Sequence, residues 1–297
     1  MGNIRLTKRD LEVLASLGEY GVLDTAMIHQ VHFQQVTNRR CQQRLLQYVE
    51  HGLCHRTQLR VWYDEDAKGG KIPTIFSLSD RGAAVIFEAT GIRPRRVLKS
   101  SPKPETLFHR LDTVRWRVGF DAAFNRERIP APTWIVEQDM RVDLPDRVPP
   151  NQRSVLFHRY SVNGQPVSCK PDAASLFSIP NKDGALVPLI FYWEIDRSTE
   201  GHQQISRQKI RGYTEMLKHR PYVRYWPDCG DPAIRIVFAC KRDPRERRES
   251  NLAQMFRDTA LEPYVRFISM QNCHPAKLLR EYVWRNPANH KLRIINR

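Results

Sequence analysis

The sequence predicts an α+β chain of two domains: an N-terminal winged helix-turn-helix and a C-terminal α/β domain on a mixed sheet. Three observations carry this. The chain has 297 residues, room for about two domains. Its first 92 residues read helix, helix, helix, hairpin, helix, and the remainder alternates helices with apolar strands. Its charge is also uneven. The total is +16, but residues 1–92 hold 11 basic and 10 acidic residues, 93–103 hold 5 and none, and 104–297 hold 32 and 22. The middle stretch, Arg93 to Lys103, has two prolines and no periodicity. The boundaries are therefore 1–92, a basic linker 93–104, and 105–297.

In the first domain Thr7 caps a helix with Leu11, Val13, Leu14 and Leu17 on one side, ended by Gly18 and Gly21. Asp24 caps a short second helix with Met27, Ile28 and Val31. Thr37 caps a third, Asn38–His51, with Leu45, Leu46 and Val49 apolar and Gly52 beyond its end. Alternation from Leu53 to Tyr63, a turn at Asp64–Lys71 and a strand Thr74–Ser79 form the wing, and Asp80 opens a helix to Thr90.

In the second domain Thr106 caps a long helix marked by Leu107, Leu111, Val114, Val118 and Ala122. A strand Thr133–Val142 follows, then an irregular stretch 144–168 with one strand, Val155–Tyr160. Strands Ala173–Ile179 and Val187–Trp193 flank a turn, Pro180–Gly184, and form a hairpin. A helix at 202–219, a strand Ile234–Cys240, a basic turn Lys241–Arg248 and a helix Glu249–Leu261 come next. A strand Val265–Met270 and a helix Pro275–Trp284 complete the pattern.

Several classes are excluded by composition. No apolar run reaches the ~18–20 residues of a membrane span, and the first residues lack the apolar core of a secretory signal. Six scattered cysteines without a C-x-x-C argue against a zinc ribbon or a disulfide framework. A basic chain of this kind points to a polyanionic partner, nucleic acid first, taken as duplex DNA, and an anionic membrane surface second; the lack of a basic amphipathic helix and of a lipid signal argues for no membrane. The third helix offers Asn38, Arg39, Arg40, Gln43 and Arg44, the types that read base edges in a major groove. Arg56 and Arg60 on the wing suit phosphate. The basic turn Lys241–Arg248 reads equally as a phosphate contact or a solvated turn.

The chemistry-bearing group is acidic. Asp172 opens one strand of the hairpin, and Glu194 and Asp196 end the other, two apart and so on one face. Carboxylates gathered in a basic domain suit a hard cation such as Mg²⁺ or Mn²⁺, which activates water against a phosphodiester. Exposed acids at strand ends are the plainer reading of the same residues.

Pro171-Asp172 and Glu194-Ile195-Asp196, set in an α-β-β-β-α-β order, resemble the PD-(D/E)XK nuclease superfamily. Lys170-Pro171-Asp172-Ala173, Phe191 to Glu200 and Lys209-Ile210-Arg211-Gly212-Tyr213 together resemble the plasmid replication-relaxation family, over roughly residues 5–270. That family joins a winged helix to a PD-(D/E)XK-like domain on plasmids and mobile elements. The resemblance implies a bacterial cytoplasmic protein, a homodimer or partners among replication and transfer proteins, and a site in which Asp172 and Glu194 bind metal. Asp196 assists there. It stands where the superfamily has its lysine, and Lys209 on the following helix takes that role. Two functions remain open: metal-dependent nicking of DNA, or a regulator or accessory protein that binds DNA without cutting it.

Overall fold

In the computed structural model, residues 4–58, 73–98, 104–145, 147–149, 152–197, 202–241 and 247–295 are described, with backbone only at 104–106, 202–206 and 247. The chain divides into two compact units, Met1–Val118 and Gly119–Arg297.

The first unit contains α1 (Lys8–Tyr20), β1 (Leu23–Asp24), α2 (Thr25–His32), α3 (Asn38–Glu50), β2 (Cys54–Gln58), β3 (Thr74–Leu78) and α4 (Asp80–Thr90). The caps follow the sequence at Thr7, Asp24 and Thr37, each accepting a bond from a first-turn N–H. At α4 the cap is Ser79, whose hydroxyl accepts from the Gly82 N–H at 3.0 Å. The sheet is antiparallel in the order β1-β3-β2, so the two-residue β1 adds a third strand to the expected hairpin. The turn at 64–71 and Arg60 lie outside the described residues.

Asp10 ties this unit together. It completes the capping box, its carboxylate accepting from the Thr7 N–H at 2.7 Å. It also accepts from Arg44 Nε at 2.9 Å and from the buried hydroxyl of Tyr48. Burial alone would raise the Asp10 carboxyl, but the bonds from Arg44, Tyr48 and Thr7 outweigh it and hold it well below the usual range. Arg44, expected to read DNA, thus anchors α3 to α1 from behind.

Residues 93–98, on the expected linker, lie against α1. Gly18 leaves room for them, since a Cβ there would stand 2.6 Å from Pro94 Cβ. The Arg96 N–H donates to the Gly18 carbonyl at 3.0 Å, and its guanidinium meets the Glu19 carbonyl at the helix end. The long helix α5 (Pro104–Glu127) begins in this unit, where Leu107, Leu111, Val114 and Val118 join the core and Arg117 pairs with Glu19.

The second unit is built on a seven-stranded mixed sheet in the order β12-β11-β10-β9-β8-β7-β4. Its strands are β4 (Thr133–Val136), β7 (Ala173–Pro180), β8 (Leu186–Asp196), β9 (Ala233–Cys240), β10 (Val265–Ser269), β11 (Trp284–Arg285) and β12 (Lys291–Leu292). β8, β9 and β10 are mutually parallel and the other pairs antiparallel. On one face Phe120 of α5 sits 5.1 Å from Phe177 and 5.3 Å from Trp193, centroid to centroid. On the other, Tyr192, Ile236 and Phe238 share a core with α6 (His202–His219) and α7 (Arg247–Phe256). Among the described residues no helix is long and apolar enough to cross a membrane.

Several expectations change: α5 starts at Pro104, so Thr106 lies within it and is not its cap, and α7 ends at Phe256 and not at Leu261. The strand expected over Thr133–Val142 stops at Val136, whose N–H turns to the Asp139 carboxylate at 2.9 Å. The irregular stretch holds a hairpin, β5 (His158–Val162) and β6 (Gln165–Cys169), closed by Asn163 and Gly164 at positive φ of 52° and 75°. The final helix is only Pro275–Leu278, because Trp284 is drawn into the sheet. Its indole packs 5.4 Å from Phe191 and donates to the Leu278 carbonyl at 2.8 Å.

Asp10→Asn should cost roughly 2–3 kcal/mol at pH 7. That is slightly below the ~3–5 of a fully buried pair, since the Arg44 side chain keeps 24% exposure. The contribution of the ionised carboxylate is complete above about pH 4, its unfolded-state value, and is lost as pH falls below that. Denaturant midpoints of parent and variant should therefore converge towards pH 3; an equal gap at both pH values would refute this role.

Candidate functional site

The site begins at the end of β8. Ile190 to Trp193 form an apolar run buried on both faces, and the strand delivers Glu194 with only 4% exposure. Ala173 pairs with Trp193, and Asp172, one residue before it, lies close enough to Glu194 for the two charges to act on each other. The Asp172 N–H donates to the Trp193 carbonyl at 2.9 Å, and its Oδ2 accepts from the Ile195 N–H at 2.7 Å. The turn expected at 180–184 is present, with Gly184 at φ 83°.

Helix α6 supplies the partners. Lys209 and Tyr213 lie one turn apart on it. The Tyr213 hydroxyl donates to Glu194 Oε1 at 2.6 Å, and Lys209 Nζ forms an ion pair with Oε2. Gly212 permits this approach. A Cβ there would stand 2.8 Å from the Ser168 carbonyl oxygen on β6, inside ordinary contact distance. Burial raises the Glu194 carboxyl to about 6; Lys209 and Tyr213 favour the charged form, while neighbouring Asp172 opposes it.

Asp196 has a different environment. Arg248 of α7 grips both its oxygens, Nε at 2.6 Å and Nη2 at 2.7 Å, and both side chains are only 9% exposed. Its carboxylate is therefore neutralised by a guanidinium. Among the described residues no three His, Cys, Asp or Glu side chains are placed to hold one metal ion. Asp172 and Glu194 are the two neighbouring acids left that could contribute oxygens to a hard cation such as Mg²⁺. Beside them Lys170 Nζ contacts Glu137 Oε1 at 2.5 Å, and the Glu137 N–H donates to the Asp172 carbonyl at 3.1 Å.

The structure thus brings Asp172, Glu194 and Lys209 together and adds Tyr213. On the first unit Asn38, Arg39, Arg40 and Gln43 are exposed along the start of α3, and Arg56 is exposed on β2. Arg44 is engaged by Asp10, and Arg60 lies outside the described residues. The part played by Arg248 was missed because it acts 52 positions from Asp196. Its neighbours in sequence read only as a basic turn.

A family model described as replication-relaxation matches residues 14–226, more than two thirds of the chain. No curated protein and no solved structure matches.

The raised carboxyl of Glu194 has a measurable consequence. Between about 4.3, its unfolded-state value, and about 6, the folded chain retains a proton that the unfolded chain has released. Stability falls as pH rises through that window. Glu194→Gln removes the dependence, so its thermal midpoint relative to the parent should rise by a few degrees between pH 4.5 and pH 7. A constant difference would show that the carboxyl titrates normally.

Proposed function

Because the chain belongs to the replication-relaxation family and its function is replication-related, we propose that its first unit binds duplex DNA and its second cuts a phosphodiester with Asp172, Glu194 and Lys209. The first unit is read as a winged helix-turn-helix. Support comes from α2 and α3 joined by a short turn, the β2–β3 hairpin, and the exposed Asn38, Arg39, Arg40 and Gln43. With a net charge of only +1 over residues 1–92, this unit selects a site more than it grips. The second unit is read as a PD-(D/E)XK-like domain of a plasmid or mobile-element protein. Its antiparallel β7–β8 hairpin, parallel β9 and β10, and α6 returning a lysine to the acids support that reading.

The observation that carries the proposal is the ion pair of Lys209 with Glu194, whose carboxyl also feels the charge of neighbouring Asp172. Asp172 and Glu194 would hold Mg²⁺ or Mn²⁺, which when bound supplies positive charge at the phosphate and a more acidic water. Tyr213, itself fully buried, fixes one oxygen of Glu194 and so sets the orientation of its carboxylate. With such an ion held there, Glu194 would share its charge with it, and Lys209, whose side chain is 29% exposed, would be the cation nearest the acids to contact a phosphate oxygen. Replication and transfer proteins, or a second copy bound to a palindrome, are the partners this function implies.

A second reading is favoured by a specific observation. Both Glu194 oxygens already have protein partners, and Asp196 is clamped by Arg248. A chain in which these pairs persist would bind DNA as a regulator or accessory factor and cut nothing.

Supercoiled plasmid with Mg²⁺ or Mn²⁺ separates the two. Nicking should fall roughly 100-fold or more in Asp172→Ala and Glu194→Ala, and substantially in Lys209→Ala. Nicking that survives both acid substitutions would sink the site, and absence of cleavage on supercoiled, linear and single-stranded DNA would establish the second reading. Separately, Arg39→Ala with Arg40→Ala should weaken duplex binding about 10-fold or more at fixed salt, measured by fluorescence anisotropy. Unchanged affinity would mean that α3 is not the reading helix.

A further inference from the structure

Strand β9 has two unlike faces. Ile236, Phe238 and Cys240 join the core beneath α6 and α7, whereas Arg235 stands on the opposite face with Val237 and Ala239. On the neighbouring parallel strand Arg266 pairs with Val237. The two arginines therefore share one face of adjacent strands, a single residue pair apart. They open onto a cavity of about 260 Å³, also lined by Leu189, Phe191, Trp284 and Arg293.

The hydrogen bonds of this pair are few for guanidinium groups. Arg235 Nη1 donates to the Ile234 carbonyl at 2.7 Å, and Arg266 Nη1 to the Val265 carbonyl at 2.6 Å. Among the described residues neither has a carboxylate within ion-pair distance. A guanidinium has five N–H donors, so most of the donors on each are left for another acceptor. Two like charges half-buried over an apolar floor form an unfavourable arrangement until an anion joins them. Burial and the charge of Arg235 bring Arg266 down to about 10, so it stays charged at neutral pH.

We propose that this cavity binds a small organic anion, its phosphate or carboxylate held between Arg235 and Arg266 and its apolar or aromatic body against Leu189, Phe191 and Trp284. The volume equals on the order of nine waters, room for a molecule with one ring. The site is separate from the acidic one. Phe191 pairs with Arg235, and Glu194 with Phe238 three residues further along. The two sites are thus about 10 Å apart along the strand and on opposite faces of the sheet.

The test is calorimetric titration of the full chain with phenyl phosphate, benzoate, inorganic phosphate and phenol. The expected order has phenyl phosphate tightest, inorganic phosphate weaker for want of an apolar body, and phenol unbound for want of charge. Arg235→Gln and Arg266→Gln should each weaken phenyl phosphate at least tenfold while leaving duplex DNA affinity unchanged. Should a glutamine variant fail to fold, Arg266→Lys, which keeps the charge but loses the fork, should show the same direction of loss. Equal binding of phenol, no binding of either ring-bearing anion, or unchanged affinity in the arginine variants would overturn the proposal. So would competition by duplex DNA, which would assign these arginines to the DNA path.

Discussion

A carboxylate buried at the end of an apolar strand organises the second unit. β8 brings Glu194 into the interior because Ile190 to Trp193 must be buried on both faces. An isolated charge there is costly, so partners have to be brought to it. Those partners, Lys209 and Tyr213, fix the position of α6 against the sheet. Gly212 is needed because that position leaves no space for a Cβ beside Ser168. Two residues on, Asp196 makes the same demand and Arg248 of α7 meets it. Both helices on this face are thus held to the acids of one strand, and the candidate site and the fold share the same bonds.

The first unit repeats the principle at smaller scale. Asp10 is a cap residue by sequence, yet once buried it also gathers Arg44 and Tyr48 from α3. The core-facing side of α3 is held from behind, and its opposite side carries the exposed Asn38, Arg39, Arg40 and Gln43. A rigid helix with a polar outer face is what a groove-reading role requires. Among the described arginines three kinds of surroundings stand out. Arg44, Arg96, Arg117 and Arg248 are bound to protein carboxylates or carbonyls, Arg39 and Arg40 face solvent, and Arg235 and Arg266 line a cavity.

Much of this was legible along the chain. The helix caps at Thr7, Asp24 and Thr37, the double-sided burial of β8 and the β7–β8 hairpin all follow from local patterns. So did the β5–β6 hairpin in principle, since Asn163-Gly164 is a strong turn signal; it went unread because the strands around it are short and polar. Trp284 illustrates the opposite case. Its segment reads as the end of a helix, and burial of its indole against Phe191 overrides that local preference.

The sequence by itself determined that Asp172 would lie beside the end of β8, because a short turn between two apolar runs leaves one register that buries the right side chains. It also placed Lys209 and Tyr213 on one face of a helix. Only the tertiary structure decided which cation meets which acid. Lys209 reaches Glu194 across 15 positions and Arg248 reaches Asp196 across 52. No local pattern encodes such pairings. They depend on how closely each helix approaches the sheet, which is set by the packing of the whole core.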